Sequence, residues 1–466
     1  MNSNIPSPII FQFPKNRLCL VEIGSQTAAK ANQASRVPKP YSTANFNLKY
    51  VLFFRMNALN LLVSSRGFGL AGEGQTPFRT EPRPRRSARC TKSKSLFATI
   101  ALLLAGCPAV SQIDPQQRAA ETIFTDSELS APANVDSTIK RIDAVLKDNL
   151  DNRLLSTDVQ AAWQILHGVL AYGPDLRIKT SAGEVVAIDY LLQGGQISGF
   201  VLHSGDRFES GSDSNDLTLT RGIRSELDPG EKHGQGHRDQ WLAYMTSCNL
   251  PVDQVIQTLD GPRRVEMWLR QIEWDVPLNF EREFSWTLMS LVPYRKSSHR
   301  WEARDGNQYS IETLLQSELD RLSPDSACGG SHRLTAIART LQKRRDEGQV
   351  ISGVWADADA LLANAIDTAL DFQNADGTFS SNYFERAGWS LDLSTQIGTT
   401  GHTLEFIAAA ASQDRLTDPR VQVAANKLCE LLEQTKDIDL ECGALYHALS
   451  GLRLYRDRLS SITASS

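Results

Sequence analysis

Apolar residues recur at the spacing of an α-helix from residue 134 to the end of the 466-residue chain, and this pattern constrains the fold most strongly. Across 421–432 they stand at i, i+3, i+4, i+7, i+10 and i+11, so they share one helix face while charged residues occupy the opposite face. Alternation of apolar and polar residues is brief, and only 197–202 and 216–220 are candidates for short strands. The pattern predicts an all-α domain over residues 134–460.

The helical segments fall into six consecutive pairs. The pairs are predicted at 135–150 with 156–173, 185–195 with 236–250, 262–276 with 281–294, 311–323 with 328–345, 355–373 with 398–412, and 419–435 with 440–457. The first helix of each pair is amphipathic, whereas the second is apolar or small nearly all round, which predicts that it is buried. An outer helix followed by a buried inner helix, six times over, predicts an (α/α)6 toroid of six helical hairpins. The alternative is an open helical solenoid, but its hairpins would be similar in length, and these are not.

The charge of the chain is divided unevenly. Residues 1–95 carry 15 Lys and Arg against 3 Asp and Glu, whereas the remainder carries 34 against 51. Affinity for nucleic acid comes mainly from Lys and Arg, so the acidic segment after residue 95 is expected to bind nucleic acid poorly. We therefore expect no nucleic-acid partner.

The segment 83–107 has the pattern of a signal peptide. A basic stretch precedes the 11-residue apolar run Leu96–Gly106, which is too short to span a bilayer as a helix, and Cys107 follows at once. The run Leu-Ala-Gly-Cys resembles the lipobox of bacterial lipoproteins, which implies cleavage before Cys107 and lipidation of that residue. The expected product is an exported cell-envelope protein held to the membrane by its lipid alone, at the periplasmic face or in the outer membrane. The alternative is a buried helix segment beside a chance cysteine.

The flanking segments complete the predicted domain organisation. Residues 1–82 are rich in Pro, Ser and Asn, and we interpret them as a disordered or mis-annotated upstream extension, with the true start at or after Met56. Residues 108–133 form a polar, flexible tether between the lipid anchor and the toroid.

In a toroid the inner helices run parallel, so their N-termini meet at one end. Four of the eight histidines fall within the first two turns of predicted inner helices, namely His237, His332, His402 and His447. A helix N-terminus disfavours an imidazolium, and a neutral histidine can act as a general base. Glu405 lies three residues after His402 on the same helix face, where its carboxylate can orient the imidazole. These five residues are the predicted catalytic group.

Two long connections, 196–235 and 374–397, lead into inner helices at the same end, and long loops on one rim often carry function. Polar and aromatic residues on these loops and helix starts are candidates for ligand binding. The predicted ligand-binding residues are Asp239, Trp286, Arg333, Asp376 and Tyr383. For each of them, and for each histidine, the alternative is ordinary packing within the core.

Two short motifs resemble known toroid families. Residues 373–379, Gln-Asn-Ala-Asp-Gly-Thr-Phe, look like the Gln-x-x-Asp-Gly-x-aromatic element of terpenoid cyclases and protein prenyltransferases, which implies the toroid architecture. Residues 400–406, Thr-Gly-His-Thr-Leu-Glu-Phe, resemble the Gly-His-x-x-Glu-aromatic motif of N-acylglucosamine and cellobiose 2-epimerases. That resemblance implies an acid/base role for His402, with His332 or His447 opposite, and a saccharide ligand.

The cysteines leave several alternatives open, and no cofactor is predicted. Cys429 and Cys442 stand across the last predicted hairpin and are candidates for a disulfide in an oxidising compartment. Free buried thiols are the other interpretation. A zinc alternative uses four residues. They are Cys328, His332, Cys442 and His447.

Two functional classes follow from these observations. The first is an enzyme that acts on a small or oligomeric saccharide through His402, Glu405 and partner histidines. The second is a non-catalytic cell-envelope binding or scaffold protein. If the protein is an enzyme, we expect the histidines to cluster around an open central cavity. If it is a scaffold, we expect apolar side chains to fill the end of the toroid where the inner helices begin.

Overall fold

The computed structural model describes residues 135–208, 216–228, 233–279 and 283–465. The predicted upstream extension, the signal peptide with Cys107 and the tether lie outside these residues. The described part is mostly helical, which confirms the predicted helical character. Within it, no helix is both long enough and apolar enough to cross a membrane.

The described part of the chain contains fourteen α-helices, and at least one helix outside the centre of the fold precedes each central one. They are α1 (Val135–Asn152), α2 (Ala162–Tyr172), α3 (Ala187–Leu192), α4 (Leu217–Thr220), α5 (Gln240–Met245), α6 (Val265–Asp275), α7 (Ser285–Leu291), α8 (Ile311–Asp320), α9 (Ser331–Asp346), α10 (Val354–Asp371), α11 (Leu393–Ala410), α12 (Gln413–Leu416), α13 (Pro419–Gln434) and α14 (Cys442–Ser465). Six of them, which we call the core helices, are α2, α5, α7, α9, α11 and α14. Each core helix contacts the next one in chain order, and α14 contacts α2.

Helix α13 shows why the outer helices form where they do. Pro419 occupies its first turn, and the Asp418 side chain accepts a hydrogen bond from the backbone N–H of Arg420, which satisfies one of the free donors there. Val421 and Leu428 are fully buried on one face, as the periodicity predicts. Burying a leucine of this kind contributes roughly 1.5–3 kcal/mol. Packing of this face, more than helix propensity, holds the helix in place.

Short strands add a feature that an all-α prediction lacks. They are β1 (Leu155–Ser156), β2 (Arg177–Thr180), β3 (Gly183–Val186), β4 (Leu202–Arg207), β5 (Arg221–Ser225), β6 (Val255–Thr258), β7 (Gly261–Arg264), β8 (Arg300–Glu302) and β9 (Gln308–Ser310). Of the two predicted strands, 197–202 is largely loop up to β4, and 216–220 contains a single helical turn that leads into β5. These runs are too short for alternation to reveal them.

Three of the hairpins repeat one structural unit. The antiparallel pairs β2–β3, β6–β7 and β8–β9 each lead directly into an outer helix, α3, α6 and α8 respectively. Each unit turns at a glycine with positive φ, namely Gly183, Gly261 and Gly306, a conformation that other residues adopt at a cost. The repetition shows that successive helical hairpins of the chain share a common design.

The contact between α11 and α14 positions the candidate site. A Cβ atom on Gly401 would lie 2.6 Å from Cα of Ala448, and one on Gly451 would lie 2.9 Å from the backbone oxygen of Gly401. Glycine therefore allows the two helices to approach closely. This approach brings His402 on α11 beside His447 on α14.

Candidate functional site

Four histidines from four core helices meet at the centre of the fold. The rings of His402 and His447 stack with their centroids 4.2 Å apart, and His332 lies 5.3 and 5.1 Å from them. The ring of His167 is 5.5 Å from His447, and Trp286 is 5.0 Å from His332. We call His167, His332, His402 and His447 the core histidine cluster. It contains three of the four predicted histidines together with His167, which was not among them.

Hydrogen bonds fix the orientation of two of these rings. His402 donates from Nδ1 to the backbone oxygen of Gly398 at 2.7 Å, and His167 donates from Nδ1 to that of Trp163 at 2.6 Å. In both rings Nε2 therefore carries the lone pair. Nε2 of His167 accepts from the hydroxyl of Tyr244 at 3.0 Å, whereas Nε2 of His402 has no hydrogen-bond partner in the described part of the chain. Burial lowers the pKa of both imidazoles, that of His167 to about 4.

Glu405 pairs with His447 in the interior. Its Oε2 accepts from His447 Nδ1 at 2.7 Å, and its Oε1 accepts from Ser450 Oγ at 2.7 Å. Burial alone would raise the pKa of Glu405, but His447, Ser450 and the nearby charge of Arg339 outweigh it and lower this pKa to about 2. Burial and the neighbouring His402 lower the pKa of His447 to about 3. The pair is therefore an ionised carboxylate beside a neutral imidazole at neutral pH.

His332 has an unusual position within the cluster. Among the described residues, neither of its buried ring nitrogens has a partner at hydrogen-bond distance, a state that native proteins rarely tolerate. The nearby Cys328 side chain does interact with the ring and raises its pKa despite burial. Cys328, His332 and His402 each offer one metal-ligating atom, and these atoms lie within 4.8 Å of one another. The predicted zinc set shares Cys328 and His332 with this group, but the structure groups them with His402, and not with Cys442 and His447.

A strained loop holds Cys328 beside the cluster. Cys328, Gly329 and Gly330 have φ values of 50°, 62° and 86°, all in the left-handed region, immediately before α9. A cysteine in this conformation is uncommon, and such strain is concentrated at functional sites. Tyr383, with φ 53°, packs on this loop so closely that a Cβ atom on Gly329 would lie 2.4 Å from its Cγ. The two loops thus pack against each other beside His332 and His402.

The space enclosed beneath the cluster, which we call the inner cavity, is small. It has room for about one water molecule. Its lining residues are Leu170, Ala243, Tyr244, Trp286, Met289, His332, Thr335, Arg339, Glu405 and His447. A sugar ring does not fit into this space, so the open cavity that we expected of a saccharide enzyme is not found here.

Two other predicted residues belong to a neighbouring network of charges. Nδ1 of His237 lies 3.2 Å from Oε1 of Glu283, which also accepts a hydrogen bond from Trp286 Nε1 at 2.9 Å. Arg333 donates to Glu318 at 2.8 Å and lies 3.7 Å from Glu283. His237 is only partly buried and lies outside the core histidine cluster. Arg333 joins two buried carboxylates, which is a structural arrangement.

The two predicted aspartates stabilise local structure. Asp239 has φ 67° and accepts hydrogen bonds from Thr287 Oγ1 at 2.6 Å and Asn279 Nδ2 at 3.0 Å. Burial raises the pKa of Asp239 to about 6. Asp376 accepts from Thr378 and from Trp389 Nε1 at 2.9 Å, which ties the loop after α10 together. Neither carboxylate contacts the core histidine cluster.

The structure also identifies residues that the sequence analysis did not select. Tyr244 and Arg339 face the inner cavity from α5 and α9, and Ser450 holds Glu405 from α14. Ser450 follows His447 by three positions, so its place on the same helix face could have been inferred. The positions of Tyr244 and Arg339 depend on helix rotation, and the sequence gives no signal for it.

Comparison with protein-family models, with curated proteins and with solved structures finds no match for this chain.

Proposed function

We propose that this protein is an (α/α)6 toroid whose centre binds a zinc ion through Cys328, His332 and His402. The toroid is supported by the cyclic order in which the core helices contact one another, and by the outer helix that precedes each of them. Export and lipid anchoring at Cys107 are part of the same proposal, and they rest on the sequence pattern of residues 83–107.

The observation that carries the metal proposal is the buried imidazole of His332, whose two ring nitrogens have no partner at hydrogen-bond distance in the described part of the chain and which lies beside Cys328. Leaving a buried polar group unsatisfied costs roughly 1–3 kcal/mol, and a metal ion would remove this cost. Sulfur and imidazole nitrogen are the donors that zinc prefers in proteins. The Nδ1–H of His402 is already bonded to Gly398, which is how metal-ligating histidines are usually oriented. The donor set therefore fits zinc.

Three protein ligands are typical of a catalytic zinc site, where the ion keeps a fourth position for water or substrate. Next to the proposed ligands, His447 donates from Nδ1 to Glu405, so its Nε2 is the nitrogen that can take up a proton, although burial makes it a weaker base than a free imidazole. We propose that acid–base chemistry at this pair is the activity of the protein. A saccharide is the proposed substrate class, on the resemblance of residues 400–406 to the sugar epimerases.

One observation favours a second candidate function. The inner cavity has room for about one water molecule, so a substrate reaches His447 only if the loops that carry Cys328 and Tyr383 move apart. If they do not move, the zinc ion is structural and the protein is a non-catalytic cell-envelope scaffold. Both candidates require the metal, and they differ in whether the centre opens.

Metal analysis of the purified full chain tests the proposal. We expect about one zinc ion per chain, and we expect Cys328→Ser and His332→Gln to abolish stoichiometric zinc binding. Cys248→Ser is the matched control, because Cys248 is also a partly buried free thiol but lies outside the proposed ligand group. Retention of zinc by both site variants would contradict the metal proposal.

A second assay separates the two candidate functions. Sugars are screened for binding and turnover with zinc-loaded wild-type protein and with His447→Gln, which keeps all three proposed ligands. Turnover that His447→Gln abolishes at unchanged zinc content supports the enzyme. Zinc binding with no sugar binding, and a melting temperature that depends on zinc, supports the scaffold.

A further inference from the structure

A second opening lies at the other end of the core helices, where α7, α9 and α11 finish. This space, which we call the outer groove, has a volume of about 470 Å³ and is open to solvent. Three cationic side chains line it, those of Arg339, Lys343 and Arg458, against one carboxylate, that of Asp346. Asp346 already accepts a hydrogen bond from Gln342 at 2.7 Å. The outer groove is therefore positively charged.

Arg339 links the outer groove to the inner cavity. It is the residue that lines both spaces, and in the inner cavity it shares the wall with Glu405 and His447. Within the described residues, its guanidinium makes no hydrogen bond and no ion pair. The attraction of Glu405 acts only over a longer distance, because no contact within 4.0 Å joins the two. A guanidinium carries five donors, and those of Arg339 have no hydrogen-bond partner among the described residues.

The helix dipole accounts for the position of only one of the three cationic side chains. Lys343 lies in the last turn of α9, where a positive charge balances the helix dipole. Arg339 lies about two turns from that end, and Arg458 lies well inside α14. Arg458 donates to the backbone oxygen of Ala408 at 2.9 Å and has no carboxylate partner among the described residues. Two arginines thus line the outer groove without an ion-pair partner among the described residues.

We propose that the outer groove binds a small oxyanion, a carboxylate or a phosphate, between Arg339 and Arg458. Planar guanidinium groups bind these anions with two parallel hydrogen bonds, and such charge-assisted bonds are stronger than neutral ones. Lys343 adds a third positive charge at the edge of the site. Because Arg339 also lines the inner cavity, its side chain stands between the bound anion and the Glu405–His447 pair. This proposal does not depend on the zinc ion.

Calorimetric titration of the purified full chain, once as purified and once after removal of metal by a chelator, tests the proposal, with inorganic phosphate and succinate as separate probes at constant ionic strength set by chloride. We expect at least one probe to bind, and the stronger of the two identifies the anion as a phosphate or a carboxylate. Arg339→Gln and Arg458→Gln are each expected to weaken binding by about tenfold or more. Arg345→Gln is the matched control, because Arg345 lies on the same helix but pairs with Asp359 outside the groove.

Two further measurements keep the result interpretable. Arg339→Lys retains the charge but not the planar fork, so we expect an affinity between those of wild type and Arg339→Gln. Melting temperature and zinc content of each variant show that the chain is folded and that the metal centre is unchanged. If neither phosphate nor succinate binds, or if wild type and folded Arg339→Gln bind with equal affinity, the proposal is overturned. Neither result bears on the proposed metal site.

Discussion

Replacing Asp239 by asparagine is expected to stabilise the protein at alkaline pH. Burial raises the pKa of this carboxyl group from 3.8 to about 6, although Thr287 and Asn279 donate hydrogen bonds to it. Each unit of pKa corresponds to about 1.4 kcal/mol, so the ionised carboxylate destabilises the folded chain by up to about 3 kcal/mol. Asparagine keeps an acceptor oxygen for both donors and tolerates the left-handed backbone at this position. Its new amide hydrogens need partners, which reduces the expected gain to about 1–2 kcal/mol.

The sign of the effect depends on pH in a defined way. Because the folded-state pKa is raised, the folded chain binds the proton more tightly, and this stability is fully present below pH 3.8 and lost as pH rises through about 6. Urea unfolding of wild type and Asp239→Asn at pH 4 and pH 8 measures the difference. We expect the variant to be more stable at pH 8 and its advantage to shrink towards pH 4. Asp158→Asn makes the same charge change at an exposed position and serves as control. A pH-independent difference, or a less stable variant at pH 8, would refute the reasoning.

Two further predictions concern the packing that positions the site. Arg333→Met leaves the buried Glu318 without its ion-pair partner and is expected to lower the free energy of unfolding in urea by about 3–5 kcal/mol. Arg345→Met, which removes an exposed ion pair, is expected to lower it by about 1 kcal/mol or less. Similar decreases in the two variants would show that the buried pair is unimportant. Gly401→Ala is expected to destabilise the folded chain by about 1–3 kcal/mol, because the new Cβ atom would lie 2.6 Å from Cα of Ala448. This effect is expected to exceed the higher helix propensity of alanine. A rise in melting temperature would contradict the close contact of α11 and α14.

The outer helices could be predicted from sequence because their burial is periodic, and the core helices because they are apolar or small nearly all round. Each of the six predicted pairs overlaps an observed outer helix and an observed core helix. The hairpins before α3, α6 and α8 were missed, since strands of three or four residues are too short to show alternation. Their glycine turns at Gly183, Gly261 and Gly306 are visible in the sequence, but single glycines are common in loops.

The candidate site was predictable only in part. Grouping the helix starts at one end predicted that His332, His402 and His447 would meet, and the structure brings them together. Helix starts alone do not reveal which histidines face one another, so His167 was left out and His237 was included. The replacement of Cys442 and His447 by His402 in the metal group has the same origin, because it depends on the rotation of α11 and α14 about their axes.

X-ray absorption at the zinc edge of the purified full chain tests the central claim most directly. The account predicts one sulfur at about 2.3 Å, from Cys328, and imidazole nitrogens at about 2.0–2.1 Å, from His332 and His402. The sulfur contribution should disappear in Cys328→Ser and persist in Cys248→Ser. A first shell of oxygen and nitrogen alone in the wild-type chain, or a wild-type chain that binds no zinc, would contradict the account.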